Sequence, residues 1–185
     1  NNYLTRMESE LTNMEEMTTA FLSYASMERQ GVNLRLEKTD INQFIDTFCQ
    51  GFQSLALQHQ IQLNNQLLEQ NTHLVIDQHW FYRALQNLVS NALQYANQQV
   101  KISLSIKSQS LVILIEDDGK GLDPKKFDVV FDPFVKLDVD RSREQGHFGL
   151  GLAICAKVID WHKGKISAQN SASLGGAQFT IRLPM

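Results

Sequence analysis

Apolar positions recur along this chain with two different periods, and each period marks a different kind of element. Over residues 3–28, Leu4, Met7, Leu11 and Met14, then Phe21 and Ala25, keep the alternating three-and-four step of a heptad seam, interrupted by Thr18. Met17 and Leu22 widen the stripe, and neither Pro nor Gly breaks the segment before Gly31. The pattern predicts one long helix whose broad apolar face needs partner helices, because such a face cannot satisfy itself in water. A core helix packed on the following domain is the alternative, and it suits so long a terminal stripe less well. From residue 33 the pattern shortens. Residues 33–38 alternate with Leu34 and Leu36 on one side, as a strand does, and Asp40 is placed to cap a helix through Ile41, Phe44, Ile45, Phe48, Phe52, Leu55 and Ala56.

Residues 61–67 and 73–76 read as short strands. Asp77 then opens a strongly periodic helix to about Ala96, carried by Phe81, Leu85, Leu88, Val89 and Ala92. Residues 100–107 and 111–116 predict a hairpin turning at 108–110. After a Gly- and Pro-punctuated stretch, Gly149 begins a helix reaching about Trp161, and residues 165–168 and 178–183 close the chain as strands. Strands and helices mix without a strict βαβ rhythm, which favours an α+β sandwich over a doubly wound sheet. The organisation expected is therefore a helical segment over residues 1–31 and an α/β domain over 32–185.

Composition changes this picture little. A formal charge of -3 gives no basic surplus for holding nucleic acid or an anionic membrane. No apolar run approaches the roughly 20 residues that cross a bilayer, and no signal peptide is visible. The Asn-Asn start, without Met, suggests an excised piece. Cys49 and Cys155 stand apart, each on a predicted amphipathic helix, and read as core residues in a reducing compartment in preference to a disulfide.

Four short motifs carry candidate chemistry. Asn87 and Asn91, in Asn87-Leu88-Val89-Ser90-Asn91-Ala92, lie one helical turn apart on one face. Their amide oxygens are hard, neutral donors suited to a Mg²⁺ ion that already carries phosphate, though asparagines at this spacing are common. Asp117-Asp118-Gly119-Lys120-Gly121 follows a β-branched strand. Its glycines permit a tight turn near a flat ligand, and its strand-end carboxylate can accept from an amine; an acidic turn is the plain alternative. Gly146-His147-Phe148-Gly149-Leu150-Gly151-Leu152 opens a helix, where exposed N–H groups and the positive dipole end suit phosphate. No Gly-Lys-Ser/Thr follows, so it is not a P-loop. Gly175-Gly176-Ala177-Gln178-Phe179 makes a tight turn into the last strand.

In this order, the four resemble the N, G1, G2 and G3 boxes of the Bergerat-fold ATPases, and Phe131-Asp132-Pro133-Phe134 is similar to the F box of histidine kinases. Residues 179–184 (F-T-I-R-L-P) also resemble that family, and the likeness covers residues 34–185. It implies a two-layer α/β sandwich, a mixed sheet with helices on one face, behind the long N-terminal helix. It further implies ATP and Mg²⁺ as ligands, with Asn87 and Asn91 at the metal and Asp117 reading the adenine amino group. Gly119, Gly121 and Leu122 would shape the adenine pocket, with Tyr95 against the purine and Phe131 nearby. Residues 134–148 resemble an ATP lid in which Lys136, Arg141 and Arg143 are phosphate candidates; for each arginine, a solvated surface charge is the alternative.

The sequence departs from the family at two places. Gln94 stands where a Lys or Arg is usual, and His147 where many relatives have glycine. Both departures point to weaker nucleotide affinity. Related ATPases such as the gyrase subunit carry a water-activating glutamate where this chain has Asn87, which cannot take a proton. Transfer to a supplied nucleophile is therefore favoured over hydrolysis, with a silent nucleotide-binding module as the remaining class.

Residues 3–30 are similar to the second helix of the histidine-kinase dimerisation hairpin. None of His59, His73, His79, His147 or His162 is followed by an acidic residue, so the phospho-acceptor is expected outside this chain. The resemblance implies a parent that dimerises through the helical hairpin and passes phosphate to a response-regulator receiver domain. It also implies an inner-membrane sensor whose cytoplasmic portion this is, without nucleic acid or direct membrane contact.

Overall fold

The computed structural model describes residues 33–135 and 149–185, together with residues 3, 7, 11, 14, 15, 18, 19, 21, 22 and 24–27. The described residues before position 28 are helical, as the heptad pattern predicts. Tyr3, Met7, Leu11, Met14, Phe21 and Leu22 are all exposed there, whereas Met27 is buried in the core and Tyr24 packs against it. The helical segment is thus anchored on the following domain at its end, and the rest of its described apolar stripe stays open.

Strand β1 (Glu37–Asp40) leads into helix α1 (Ile41–Gln58), followed by β2 (Gln62–Gln66), β3 (His73–Ile76) and helix α2 (Gln78–Tyr95). Then come β4 (Gln99–Lys107), β5 (Ser110–Asp117), a 3-10 turn (Pro124–Lys126), helix α3 (Gly151–Trp161), β6 (Lys165–Asn170) and β7 (Ala177–Pro184). The main sheet has five strands in the order β2-β4-β5-β7-β6, with β2 parallel to β4 and every other pair antiparallel. This is the mixed sheet expected. Strands β1 and β3 form a separate antiparallel ribbon, a division that local sequence does not announce.

Register explains the core. Ile102 pairs with Ile115, Ile115 with Phe179 and Phe179 with Ala168, making one apolar row across four strands. Leu104, Ile113, Ile181 and Ile166 make the next row. Burying each large side chain of these rows contributes about 1.5–3 kcal/mol. Onto the sheet pack the periodic faces of the helices: Ile41, Ile45, Phe48 and Phe52 from α1, Phe81, Leu85, Leu88 and Val89 from α2, and Ile154, Val158 and Ile159 from α3. Asp40 caps α1 by accepting from Gln43 N, and Asp77 caps α2 by accepting from Trp80 N.

Strand β6, read as 165–168, runs on to Asn170, and two elements start later than the sequence reading has them. Residues 33–36 are not a strand, and Leu36 is exposed, because the partner β3 offers only the four positions that Glu37–Asp40 already fill. The Arg35 N–H turns instead to the Asp77 carboxylate, donating to Oδ2 at 2.7 Å. Helix α3 starts at Gly151, because Gly149 has φ +71° and a Cβ there would meet the Val135 carbonyl oxygen at 2.7 Å.

Both cysteines are free and buried. Burial pushes the Cys49 thiol up to about 11 and the Cys155 thiol up to about 12, and Cys155 Sγ donates to the Ala84 carbonyl at 3.2 Å. Neither thiol is expected to react with an aromatic disulfide reagent in the native protein, and both should react in denaturant. Titration of either in the folded state would contradict this packing.

Candidate nucleotide site

Strand periodicity aims the central carboxylate. Positions 111, 113 and 115 of β5 face the core, so position 117 at the strand's end faces the same side, beneath the last turns of α2. Asp117 is only 3% exposed. Its Oδ1 accepts from Gly119 N at 2.9 Å and Ala177 N at 3.1 Å, and its carbonyl accepts from Gly176 N at 3.2 Å. Burial raises its carboxyl above the ordinary range, against the opposing pull of those two N–H groups. Gly119 and Gly176 are required by close approach: a Cβ on the first would strike the Tyr95 carbonyl, and on the second Asp117 Oδ1.

Asp118 points elsewhere and fastens the turn after α2. Its carboxylate accepts from the main-chain N–H groups of Asn97 at 2.8 Å, Gln98 at 3.0 Å and Gln99 at 3.2 Å. Burial pushes this carboxyl up, but the hydrogen bonds from Gln98, Gln99 and Asn97 outweigh it and hold it below the usual range. The end of α2 and the start of the Asp117–Gly121 turn are thereby tied together.

Between them opens a cleft of about 360 Å³. Asn91, Tyr95, Asp117, Gly121 and Leu122, all named from sequence, line it together. So do Lys120, Asp123, Lys126 and Ala177, which the sequence reading assigned no role. Lys120 Nζ lies 6.0 Å from the Tyr95 ring centroid. Asp123 caps the short 3-10 turn, its Oδ1 accepting from Lys125 N at 3.0 Å, and Lys126 is the turn's last residue. An Asp-Pro step is a turn signal that would have located them, though not their place in a cleft.

Other residues named from sequence sit outside this cleft. Asn87 is half-buried beside the first turn of α3, its Nδ2 donating to the Gly151 carbonyl at 3.2 Å. Gln94 is half-buried with its Oε1 turned inward. Phe131 packs edge-on against the core ring of Phe179, with centroids 6.3 Å apart at 76°, so here its described contact is apolar. Leu150 is buried ahead of α3 and Leu152 packs on the core, with Gly149 and Gly151 in the same turn. The Phe134 N–H donates to the Gly149 carbonyl at 2.9 Å, closing the two ends of the intervening segment onto one another. Lys136, Arg141, Arg143, Gly146, His147 and Phe148 lie outside the described residues.

Among the described residues there is no group of three or more His, Cys, Asp or Glu that would hold a metal by themselves. The two asparagine amides suit a cation that brings phosphate oxygens with it, since Mg²⁺ is held by few protein ligands in such sites. In this structure the Asn87 side chain is engaged by the Gly151 carbonyl and lies within hydrogen-bond reach of the Cys155 thiol.

Residues 76–185 match the family described as histidine kinase-, DNA gyrase B-, and HSP90-like ATPase. The sensor protein RstB of Escherichia coli is 30% identical over 179 residues, covering 97% of this chain and 41% of that protein. Among solved structures, the Acinetobacter baumannii histidine kinase AdeS is 27% identical with a TM-score of 0.70, covering 98% of this chain and 81% of that one. Full-length ShkA in complex with AMPPNP superposes with a TM-score of 0.83 at 20% identity, over 99% of this chain and 38% of that one, and bears on the fold alone. The chain spans less than half the length of the curated relatives it matches. With more than half of its residues matched, the chain belongs to the histidine kinase-, DNA gyrase B-, and HSP90-like ATPase family, and the relatives named here are sensor proteins and histidine kinases.

Proposed function

We propose that this chain binds Mg·ATP in the cleft between α2 and the Asp117–Gly121 turn and delivers the γ-phosphoryl group to a histidine held by another segment. The observation that carries this reading is the convergence of Asn91, Tyr95, Asp117, Gly121 and Leu122 on one cleft, with the Asp117 carboxylate already oriented by two main-chain donors. Asp117 accepts from the adenine amino group and Tyr95 packs on the purine. Asn87 and Asn91 take the phosphate end, near the N-terminus of α3, whose dipole favours negative charge. Mg²⁺, when bound, neutralises charge on the phosphates and holds them in line. ShkA, which shares this fold, was solved with AMPPNP.

In the transfer, an imidazole nitrogen forms a P–N bond to the γ-phosphorus while the bond to the β–γ bridging oxygen breaks, and ADP leaves with that electron pair. The chain's contribution is alignment and a fixed polar surround, which dominate phosphoryl transfer. Asn87 supplies no base for water, which favours transfer over hydrolysis. The acceptor is none of the described histidines: His162 is buried with both ring nitrogens engaged, and His59, His73 and His79 are exposed on the domain surface outside the cleft. Dimerisation through the open apolar stripe of the N-terminal helix, relay to a receiver-domain aspartate, and placement on the cytoplasmic side of a membrane sensor follow from the same reading. No described helix is long and apolar enough to cross a membrane.

The test incubates γ-labelled ATP and Mg²⁺ with this chain, alone and joined to a helix carrying an acceptor histidine. Acid-labile phosphate is expected on the joined protein only. Asn91→Ala in the joined protein should slow labelling on the order of 100-fold. Steady phosphate release by the chain alone would instead identify a hydrolytic machine, and unchanged labelling by the variant would remove Asn91 from the phosphate end.

A further inference from the structure

The last residue of β6 reaches across to the cleft wall. Asn170 Oδ1 accepts from the Leu122 N–H at 2.7 Å, and Asn170 Nδ2 donates to the Leu122 carbonyl at 3.0 Å. One side-chain amide therefore satisfies both main-chain groups of a residue that belongs to no strand, in the pairing a neighbouring strand would offer. Leu122 lines the cleft. The fit is close: a Cβ on the adjacent Gly121 would come within 2.7 Å of Asn170 Oδ1.

The clamp has a rigid base. Ser171 Oγ and Ser173 Oγ donate to Oε1 of the buried Glu116 at 2.7 and 2.9 Å, and Ser171 Oγ accepts from Leu174 N at 3.0 Å. Ser171 N donates to the Gly176 carbonyl at 2.7 Å, and Gly176 N returns to the Asp117 carbonyl. The turn that follows Asn170 is thus bolted to the two residues, Glu116 and Asp117, at the end of β5. Asn170 consequently sets where the Leu122 side of the cleft stands relative to the Asp117 side.

We propose that Asn170 is a positioning residue for base recognition: by fixing the main chain at Leu122 it holds the two walls of the cleft at the separation and registry of one adenine ring. It acts through Leu122 and does not touch the nucleotide. This inference rests on the nucleotide reading above. An amide is required because the two Leu122 groups are one donor and one acceptor; a carboxylate can meet only the N–H and turns a lone pair against the carbonyl.

The experiment measures ADP and GDP affinities by calorimetry for the unmodified chain, Asn170→Ala and Asn170→Asp, with nucleotide-free melting temperatures alongside. Asn170→Ala is expected to weaken ADP about tenfold with GDP nearly unchanged, so that discrimination between the bases falls by the same factor. Asn170→Asp, which keeps the shape and one of the two hydrogen bonds, should fall between and decides the matter if the alanine variant does not fold. Unaltered ADP affinity in both variants overturns the proposal. So does an equal loss for ADP and GDP, which would mark a general loosening of the domain. An unmodified chain that binds no ADP overturns the nucleotide reading itself, whereas binding that is indifferent to residue 170 overturns only the role given to Asn170.

Discussion

Asp117→Asn is expected to weaken ADP binding on the order of 100-fold or more, because a buried site then presents the wrong hydrogen-bonding group. The folded chain should be as stable as before, or more so. Gly119 N and Ala177 N both donate to Oδ1, so an asparagine keeps its oxygen inward and turns its NH₂ toward the cleft. A donor would then face the adenine amino donor. The stability half follows from the raised carboxyl, whose first cause is burial. In the unfolded chain this carboxyl ionises in the ordinary range, and in the fold it ionises only at higher pH. Stability contributed by the protonated form is therefore complete below the ordinary value and lost as pH rises through the raised one. At neutral pH the ionised group is a net cost that a neutral amide removes. Nucleotide affinity of the unmodified chain should run oppositely, falling as pH drops through the raised value and the accepting carboxylate is lost. Calorimetry and thermal melts of both proteins from acid to neutral pH check each half; an asparagine variant that binds ADP normally would remove Asp117 from base recognition.

His162→Leu is expected to cost about 2–4 kcal/mol of folding stability, by orphaning a buried main-chain group. His162 is buried at the end of α3, with Nδ1 2.7 Å from the Val158 carbonyl and Nε2 accepting from the Asp77 N–H at 2.9 Å. Those partners fix the neutral tautomer with the proton on Nδ1. Its ring also meets Phe81 edge-on, with centroids 5.7 Å apart. Leucine fills much of that space and leaves the Asp77 N–H without a partner just where Asp77 caps α2. For a chain of this length the loss should lower the melting temperature by roughly 10 °C. His162→Gln, which retains an acceptor, should lose less. If leucine melts with the unmodified protein, the hydrogen bond to Asp77 contributes nothing net.

Elements whose signals are local could be read directly from sequence. Asp40 and Asp77 each stand before a run of apolar residues at helical spacing, and each caps the helix expected. The hairpin of β4 and β5 turns where Ser108 and Gln109 take positive φ. The ordered motifs named five of the cleft residues, because glycines and a strand-end carboxylate leave marks within a few positions of one another. What escaped depends on long separations. Nothing near Asn170 signals Leu122, 48 residues earlier, and nothing near His162 signals Asp77, 85 residues earlier. The separate β1–β3 ribbon is likewise a matter of which edges meet in space. Nor does the Phe131 motif signal the edge-on packing of its ring against Phe179, 48 residues later.

Asp77 takes hold of residue 35 by its main-chain N–H and not by its side chain. That contact is indifferent to which amino acid stands at position 35, with the exception of proline, which has no N–H to give. The helical residues ahead are held differently, through the side chains of Met27, buried in the core, and Tyr24, packed against it. A segment of different sequence placed ahead of the domain therefore keeps the first contact whatever its residues, and keeps the second only with an apolar side chain at position 27.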